Sequence, residues 1–425
     1  MATWRDCKLG DLLQIKHGFA FLGEHFASAG THVVLTPGNF LEEGGFKEKA
    51  DKAKWYNGPI PDDYVLNKGD LIVAMTEQAE GLLGSSALIP RSGAYLHNQR
   101  LGLVQIRDRK QADQHFIYYL FNSKPVRQQI RGSASGTKIR HTAPSRIADV
   151  KVSVPPLPVQ RRIAGILSAY DELMENSQRR IRLLEAMARA LYREWFVHFR
   201  FPGHEKHPRV ASPLGDIPQG WEVRKLGDIL AVDKGVSYNG AGLTEDGNPM
   251  VNLKNIQPGG GFRRDATKPY SGEFKPRHTV QPGDVILANT DLTQAGNVVA
   301  SPALIPRLGD GKPILISHHL FAVRPAQGIS PQFFYHLMLT EDFRGFAKGF
   351  AIGTTVLGLP KEGILNYTFA SPPLPLIRDF VARASSIHEL IETLNQRIEN
   401  LRRTRDLLLP RLLSGQIDME KLEHA

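Results

Sequence analysis

Three sets of side chains in this chain have the types that chemistry needs. Pro61-Asp62 with Asp108-Arg109-Lys110 has the acids and the cation of a metal-dependent nuclease. The gap between them is long, and such triplets arise often by chance. His198, His204, Glu205 and His207 could ligate a metal ion. They lie in a proline- and glycine-rich stretch, not on a helix that would present ligands from one face, so no metal is expected. Gly309-Asp310-Gly311-Lys312-Pro313 suggests a phosphate loop. It lacks both the spacing and the hydroxyl of Gly-x-x-x-x-Gly-Lys-Ser/Thr. Other signatures are missing: Gly-x-Ser-x-Gly, His-Glu-x-x-His, Asn/Asp-Pro-Pro-Phe/Tyr, and Gly-x-Gly-x-x-Gly after a strand. The expectation is therefore no catalytic residue, no metal and no cofactor bound by this chain.

Binding chemistry remains. Polar and cationic side chains cluster in loops at matching places in the two halves of the chain. In the first half these are Lys16, His17, Gln78, Asn98, Gln99, Arg100, Lys138, Arg140 and His141. In the second they are Lys234, Ser237, Tyr238, Asn239, Lys254, Asn255, Arg263, Arg264, Asn289, His318 and His319. Arg and Lys suit phosphates and guanine edges, and Asn and Gln suit adenine. Thr76-Glu77 and Thr290-Asp291 sit in the same loops. The composition agrees: 53 Lys and Arg against 43 Asp and Glu give a net charge of +10, which draws a protein to polyanions.

The loops hang on a scaffold that occurs twice. Trp4-Arg-Asp-Cys-Lys-Leu-Gly-Asp11 returns as Trp221-Glu-Val-Arg-Lys-Leu-Gly-Asp228. Lys68-Gly-Asp-Leu-Ile-Val-Ala74 returns as Pro282-Gly-Asp-Val-Ile-Leu-Ala288, and Ala87-Leu-Ile-Pro-Arg91 as Ala303-Leu-Ile-Pro-Arg307. Gly136-Thr137 matches Gly353-Thr354, and Pro155-Pro-Leu-Pro158 matches Pro372-Pro-Leu-Pro375. Five matches in one order, 214 to 217 residues apart, mark a duplicated domain and not a short solenoid repeat. Asp70–Met75 and Asp284–Ala288 read as buried strands, and Phe116–Phe121 and Phe333–Met338 as short helices. The fold class is α+β, two mixed α/β domains.

After each Pro-Pro-Leu-Pro the apolar spacing becomes a heptad, as in a coiled coil. The core positions are Ile163, Leu167, Tyr170, Met174, Ile181, Leu184 and Leu191, then Phe380, Ile387, Ile391, Leu394, Ile398, Leu401 and Leu408. Ser177 and Arg405 interrupt the two stripes. So narrow a stripe calls for a partner, and the economical one is the other helix. The boundaries expected are a domain over 1–152, a long helix over 153–199, a solvated linker over 200–216, a second domain over 217–370, and the second helix with a tail over 371–425. The single cysteine, Cys7, rules out an internal disulfide. Without an apolar run of membrane-spanning length or a signal-like start, cytoplasm is the expected place and a membrane is not.

The duplicated order, with Trp195-Phe-Val-His-Phe-Arg-Phe-Pro-Gly203 after the first helix, resembles the DNA-specificity subunit of type I restriction–modification systems. The resemblance covers essentially the whole chain. It implies two target-recognition domains, each reading half of a split site on double-stranded DNA, separated by an antiparallel coiled coil. It implies two methylation subunits as partners and, through them, two restriction subunits. S-adenosylmethionine, ATP and Mg are then expected on those partners, in a bacterial or archaeal cell. Two departures stand out: Leu376-Ile-Arg-Asp379 replaces the Val159-Gln-Arg-Arg162 of the first copy, and His198-Phe-Arg-Phe201 is less acidic than is common. The alternatives are a stand-alone DNA-binding regulator, or a methyltransferase or nuclease with an unrecognised site.

Overall fold

Both Gly-Asp turns fold by one device. The Asp70 carboxylate accepts the Asn67 N–H at 2.7 Å, and the Asp284 carboxylate accepts the Gln281 N–H at 2.9 Å. Each turn releases the chain into a fully buried strand, Leu71–Ala74 and Val285–Ala288. A continuous apolar run suits such a strand, because both faces are covered. The computed structural model describes residues 3–49, 52–77, 80–137, 139–238, 240–308 and 311–419.

The chain divides into two compact units, Met1–Asn176 with Arg397–Ala425, and Ser177–Gln396. In the first unit an antiparallel four-stranded sheet runs Leu13–His17, Leu101–Ile106, Leu71–Ala74, Ser86–Leu88. A second sheet, of five short strands, brings Tyr95–Leu96 between His32–Val34 and Val65–Leu66. The helices Gln114–Phe121 and Lys124–Gly132 bury Phe116, Phe121, Val126 and Ile130 on this frame. The second unit repeats the order: Leu230–Lys234, Leu320–Pro325, Val285–Ala288, Pro302–Leu304 in one sheet. Its helices are Pro331–Met338 and Glu341–Gly349. The second helix of each pair has only two fully buried positions in the first unit and two in the second, too few to stand out from the sequence. A short ladder closes each domain on itself, Arg5–Lys8 with Lys151–Val154 and Glu222–Lys225 with Thr368–Ser371.

The long helices are Leu157–Tyr192 and Leu374–Leu413. In the first unit Ile163 and Leu167, early in one helix, share a core with Leu412, late in the other. In the second unit Tyr192, late in the first helix, lies 5.5 Å ring to ring from Phe380, early in the second. The helices therefore run antiparallel. All fourteen expected heptad positions are buried or half-buried. Arg405, one of the two interruptions, donates to Asp171 at 2.7 Å, and Asp171 also accepts the Tyr119 hydroxyl at 2.7 Å. The other, Ser177, is buried. Residues 200–216 are less of a free linker than their composition suggests. Phe201 is buried against Trp221, and Arg209–Val210 pairs with Ile217–Pro218.

One buried polar pair makes the second unit sensitive to acid. His336 Nε2 lies 3.0 Å from His388 Nε2, so one ring donates and the other accepts. Burial pushes the His388 pKa down to about 4. Burial, then the neighbouring His388 and Arg189, hold His336 well below its usual range. Unfolded, both rings titrate near about 6.5. Between there and about 4 the unfolded chain binds more protons, so stability falls as pH falls, by about 1.4 kcal/mol per pH unit for each ring. Urea midpoints should drop steeply from pH 7 to pH 5, and His388→Leu should flatten the drop. An unchanged slope in that variant would assign the effect elsewhere.

Candidate nucleic-acid interface

The first unit gathers its candidate residues at one end of the four-stranded sheet. The alternation of Leu13–His17 turns Leu13 inward and leaves Lys16 half-exposed and His17 exposed. Gly18 then passes so close to the turn before Leu101 that a Cβ would lie 2.0 Å from the Asn98 carbonyl oxygen; only glycine fits. Phe19 N–H donates to His97 O and Gln99 N–H to Phe19 O, both at 2.9 Å. His97 is buried, and its Nε2 reaches Leu101 O at 2.9 Å. Burial lowers its pKa to about 4, which keeps it a neutral brace. Gln99 and Arg100 stand exposed at the tip. Met75 joins the next part: its N–H donates to Arg100 O and its carbonyl accepts Thr142 N–H. Beyond it Thr76–Glu77 pairs with Arg140–His141. Lys16, His17, Asn98, Gln99, Arg100, Arg140 and His141 thus belong to one end of the domain.

The second unit builds the same end from other residues. Gly235 is again a close approach, with a Cβ position 2.2 Å from Ile316 O. Ser317, His318 and His319 occupy the turn that Asn98, Gln99 and Arg100 occupy in the first unit. The His318 and His319 rings are 3.9 Å apart, and Tyr238 lies 6.1 Å from His318. Burial, then the Lys234 charge, lowers the His318 pKa, and burial, then His318 and Lys234, lowers that of His319. Neutral imidazoles can both donate and accept, as base edges require. Thr290–Asp291 pairs with Leu357–Gly358 as the second ribbon. Lys234 and Ser237 are exposed beside it.

Not every candidate faces solvent. Asn255 is fully buried: its amide donates to Arg263 O at 2.7 Å and Thr267 Oγ1 at 2.9 Å, and its oxygen accepts Asn252 N–H. It is a turn bracket, as is the matching Asn39 between Thr36 and Lys47. Asn289, also buried, donates to His318 O at 3.1 Å and accepts the Thr290 hydroxyl, so it frames the turn from below. Arg264 ties Arg307 O and the Glu392 carboxylate. These three are corrected from base-reading candidates to framework, because their polar atoms are already engaged. Lys254 and Arg263 are exposed on a separate turn, where Arg263 pairs with Asp265 at 3.1 Å. Gln78, Lys138 and Asn239 lie outside the described residues.

Two features add to those expected from sequence. Glu77 Oε2 accepts the N–H groups of Gly81, Leu82 and Leu83 at 2.9–3.1 Å. Asp291 does the same for Thr293, Val298 and Val299. These buried carboxylates shape the loop beside each ribbon, and their recurrence at matching positions is the signal that sequence offers. Burial pushes the Asp291 pKa up, but these donors outweigh it and hold the carboxyl below its usual value. The second is Tyr64, whose ring lies 4.6 Å beneath the Lys16 ammonium, a contact worth roughly 0.5–1 kcal/mol at an exposed site. Each end thus offers hydrogen-bond donors, acceptors and cations on a rigid sheet terminus. Such a set suits contacts to base edges and phosphates.

Comparison with known proteins agrees. The family model of the type I restriction modification DNA specificity domain matches residues 1–186. The chain is 24% identical over 320 residues to the MjaIX specificity subunit of Methanocaldococcus jannaschii, covering 72% of this chain and 70% of that one. It is 25% identical over 308 residues to the MjaVIII specificity subunit of the same organism, covering 72% and 71%. The HindI specificity subunit of Haemophilus influenzae is 21% identical over 367 residues, covering 71% and 77%. The fold is that of the type I restriction–modification S subunit from M. genitalium, with a TM-score of 0.58, 15% identity, and coverage of 97% and 96%. No helix among the described residues is long and apolar enough to cross a membrane. The chain is thus similar over residues 1–186 to the type I restriction modification DNA specificity domain, and over about seven-tenths of its length to specificity subunits of type I restriction enzymes.

Proposed function

We propose that this chain reads a split site on double-stranded DNA, one half-site with each α/β domain. The two long helices set the gap between the halves. Each reading end enters the major groove, where all four base pairs differ. One observation carries the proposal: the same sheet terminus is built twice on one scaffold but tipped with different residues, Asn98-Gln99-Arg100 in one and Ser317-His318-His319 in the other. Equal scaffolds with unequal tips suit two readers with two targets. The subunit docks two methylation subunits and, through them, two restriction subunits. S-adenosylmethionine, ATP and Mg belong to those partners, and this chain contributes position and sequence choice.

Exchanging residues 1–152 for the corresponding domain of another specificity subunit tests the reading. Genome-wide adenine-methylation mapping should show a split motif that vanishes when the chain is deleted. In the exchange, one half of the motif should change and the other stay. A change in both halves, or a single undivided motif, would refute one half-site per domain. If the purified chain carries no methylation subunit with it, a stand-alone regulator becomes the better description.

A further inference from the structure

The two domains differ in charge beside the reading end. In the second, a cleft of about 530 Å³ opens next to Lys234 and is lined by Lys275, Arg277 and Lys361. All four cations are exposed. Asp233, the acid in the lining, is engaged by Arg324 at 3.4 Å. Among the described residues, no carboxylate lies within ion-pair distance of Lys234, Lys275, Arg277 or Lys361. Four cations gathered without carboxylate partners repel one another and stay favourable only where an anion arrives. His278, beneath them, feels the field: burial, then the Arg277 and Lys275 charges, lowers its pKa.

The first domain lacks this cleft's charge, and the strand register shows why. Thr279–Val280 and Val65–Leu66 hold the same place, each pairing antiparallel with the strand that enters the reading turn. Lys275-Pro-Arg-His278 therefore stands where the first domain has Pro61-Asp-Asp-Tyr64. The carboxylate of Asp63 and its carbonyl take up the Lys16 ammonium at 3.3 and 3.0 Å. Lys361 lies two residues beyond Leu359, whose N–H meets Asn289 O; Pro144 lies two beyond Thr142, whose N–H meets Met75 O. So proline, aspartate and proline replace three of the four cations and His17 the fourth, while Lys16 stands where the second domain has Asp233.

We propose that the cleft seats backbone phosphates of the DNA, so that the sequence-independent grip comes mainly from the second domain. This rests on the DNA-reading function above and adds where its affinity is held. Phosphate contacts release condensed counterions, and each steepens the fall of log Kobs with log salt by about 0.9.

The test uses the full chain and a fluorescent 30-bp duplex of mixed sequence, titrated between 50 and 200 mM KCl. Lys275→Ala with Arg277→Ala should cut the slope by about 1.8, so that the unaltered chain's advantage grows about 12-fold from 200 to 50 mM. Lys275→Arg with Arg277→Lys keeps both charges and should keep the slope. Arg224→Ala with Lys225→Ala, before the other end of the strand Leu230–Lys234, should leave it unchanged. A full slope in the alanine pair, beside normal salt-dependent binding by the unaltered chain, would overturn the phosphate seat alone. So would a slope lost in the charge-keeping pair, since the residues would then act through folding. Absence of any salt-dependent duplex binding by the unaltered chain would instead defeat the DNA reading on which the inference stands.

Discussion

Seven residues inserted into each long helix should move methylation to a site whose halves are unchanged and whose gap is wider by about 3 bp. The insertion points are between Asn176 and Ser177 and between Gln396 and Arg397, where the chain passes between its compact units. Seven residues add about 10.5 Å of helix at 1.5 Å each, and a base pair rises about 3.4 Å. A heptad returns the apolar stripe nearly to phase, with about 20° of drift. At the original spacing only one domain can then sit on its half-site. Losing even two base contacts costs about 2–6 kcal/mol, at least about thirty-fold in binding. Insertion into one helix alone breaks the register opposite and should abolish methylation. Three residues in each helix rotate the stripe by about 60° and should do the same. A heptad pair that left the spacing unchanged would show that something other than the helices sets it.

The second large effect is on stability. Phe380→Ala should destabilise the second unit by about 3–5 kcal/mol, the usual cost of emptying a buried phenylalanine site. Phe380 has no exposed surface. Its ring lies 5.1 Å from Phe196, 5.5 Å from Tyr192 and 6.1 Å from Trp195, with His336 at 5.3 Å. Aromatic pairs of this kind add about 0.5–1.5 kcal/mol beyond their buried area. The end of the first long helix, the start of the second and the helix Pro331–Met338 all meet at this ring, so no one element can collapse into the hole. At about 2–4 °C per kcal/mol for a unit of this size, the melting temperature should fall by roughly 10 °C. Phe380→Leu should cost much less. A shift under about 2 °C for the alanine variant would mean that the cluster relaxes around the missing ring and that its close spacing adds little.

The duplicated scaffold is legible in the order of residues because it is written in short-range terms. Lys-Gly-Asp before an apolar run makes a turn and a buried strand from neighbouring residues alone. Pro-Pro-Leu-Pro before heptad spacing makes a helix start. Arg405 is not legible in this way: it breaks a stripe in sequence, and its partner Asp171 stands 234 residues earlier.

By itself, then, the order of residues determined that one domain occurs twice, that two long helices follow the two copies, and that polar and cationic loops recur in step. Those properties depend on residues a few positions apart. Only the tertiary structure decided which loop side chains are free to meet a ligand. Asn98 and Asn255 look alike in sequence, yet one lies at an open turn and the other is enclosed by Arg263 and Thr267. Tertiary structure also decided that Lys275, Arg277 and Lys361 gather beside Lys234. A side chain's availability is set by what reaches it through space, and the chain brings those neighbours from tens of residues away.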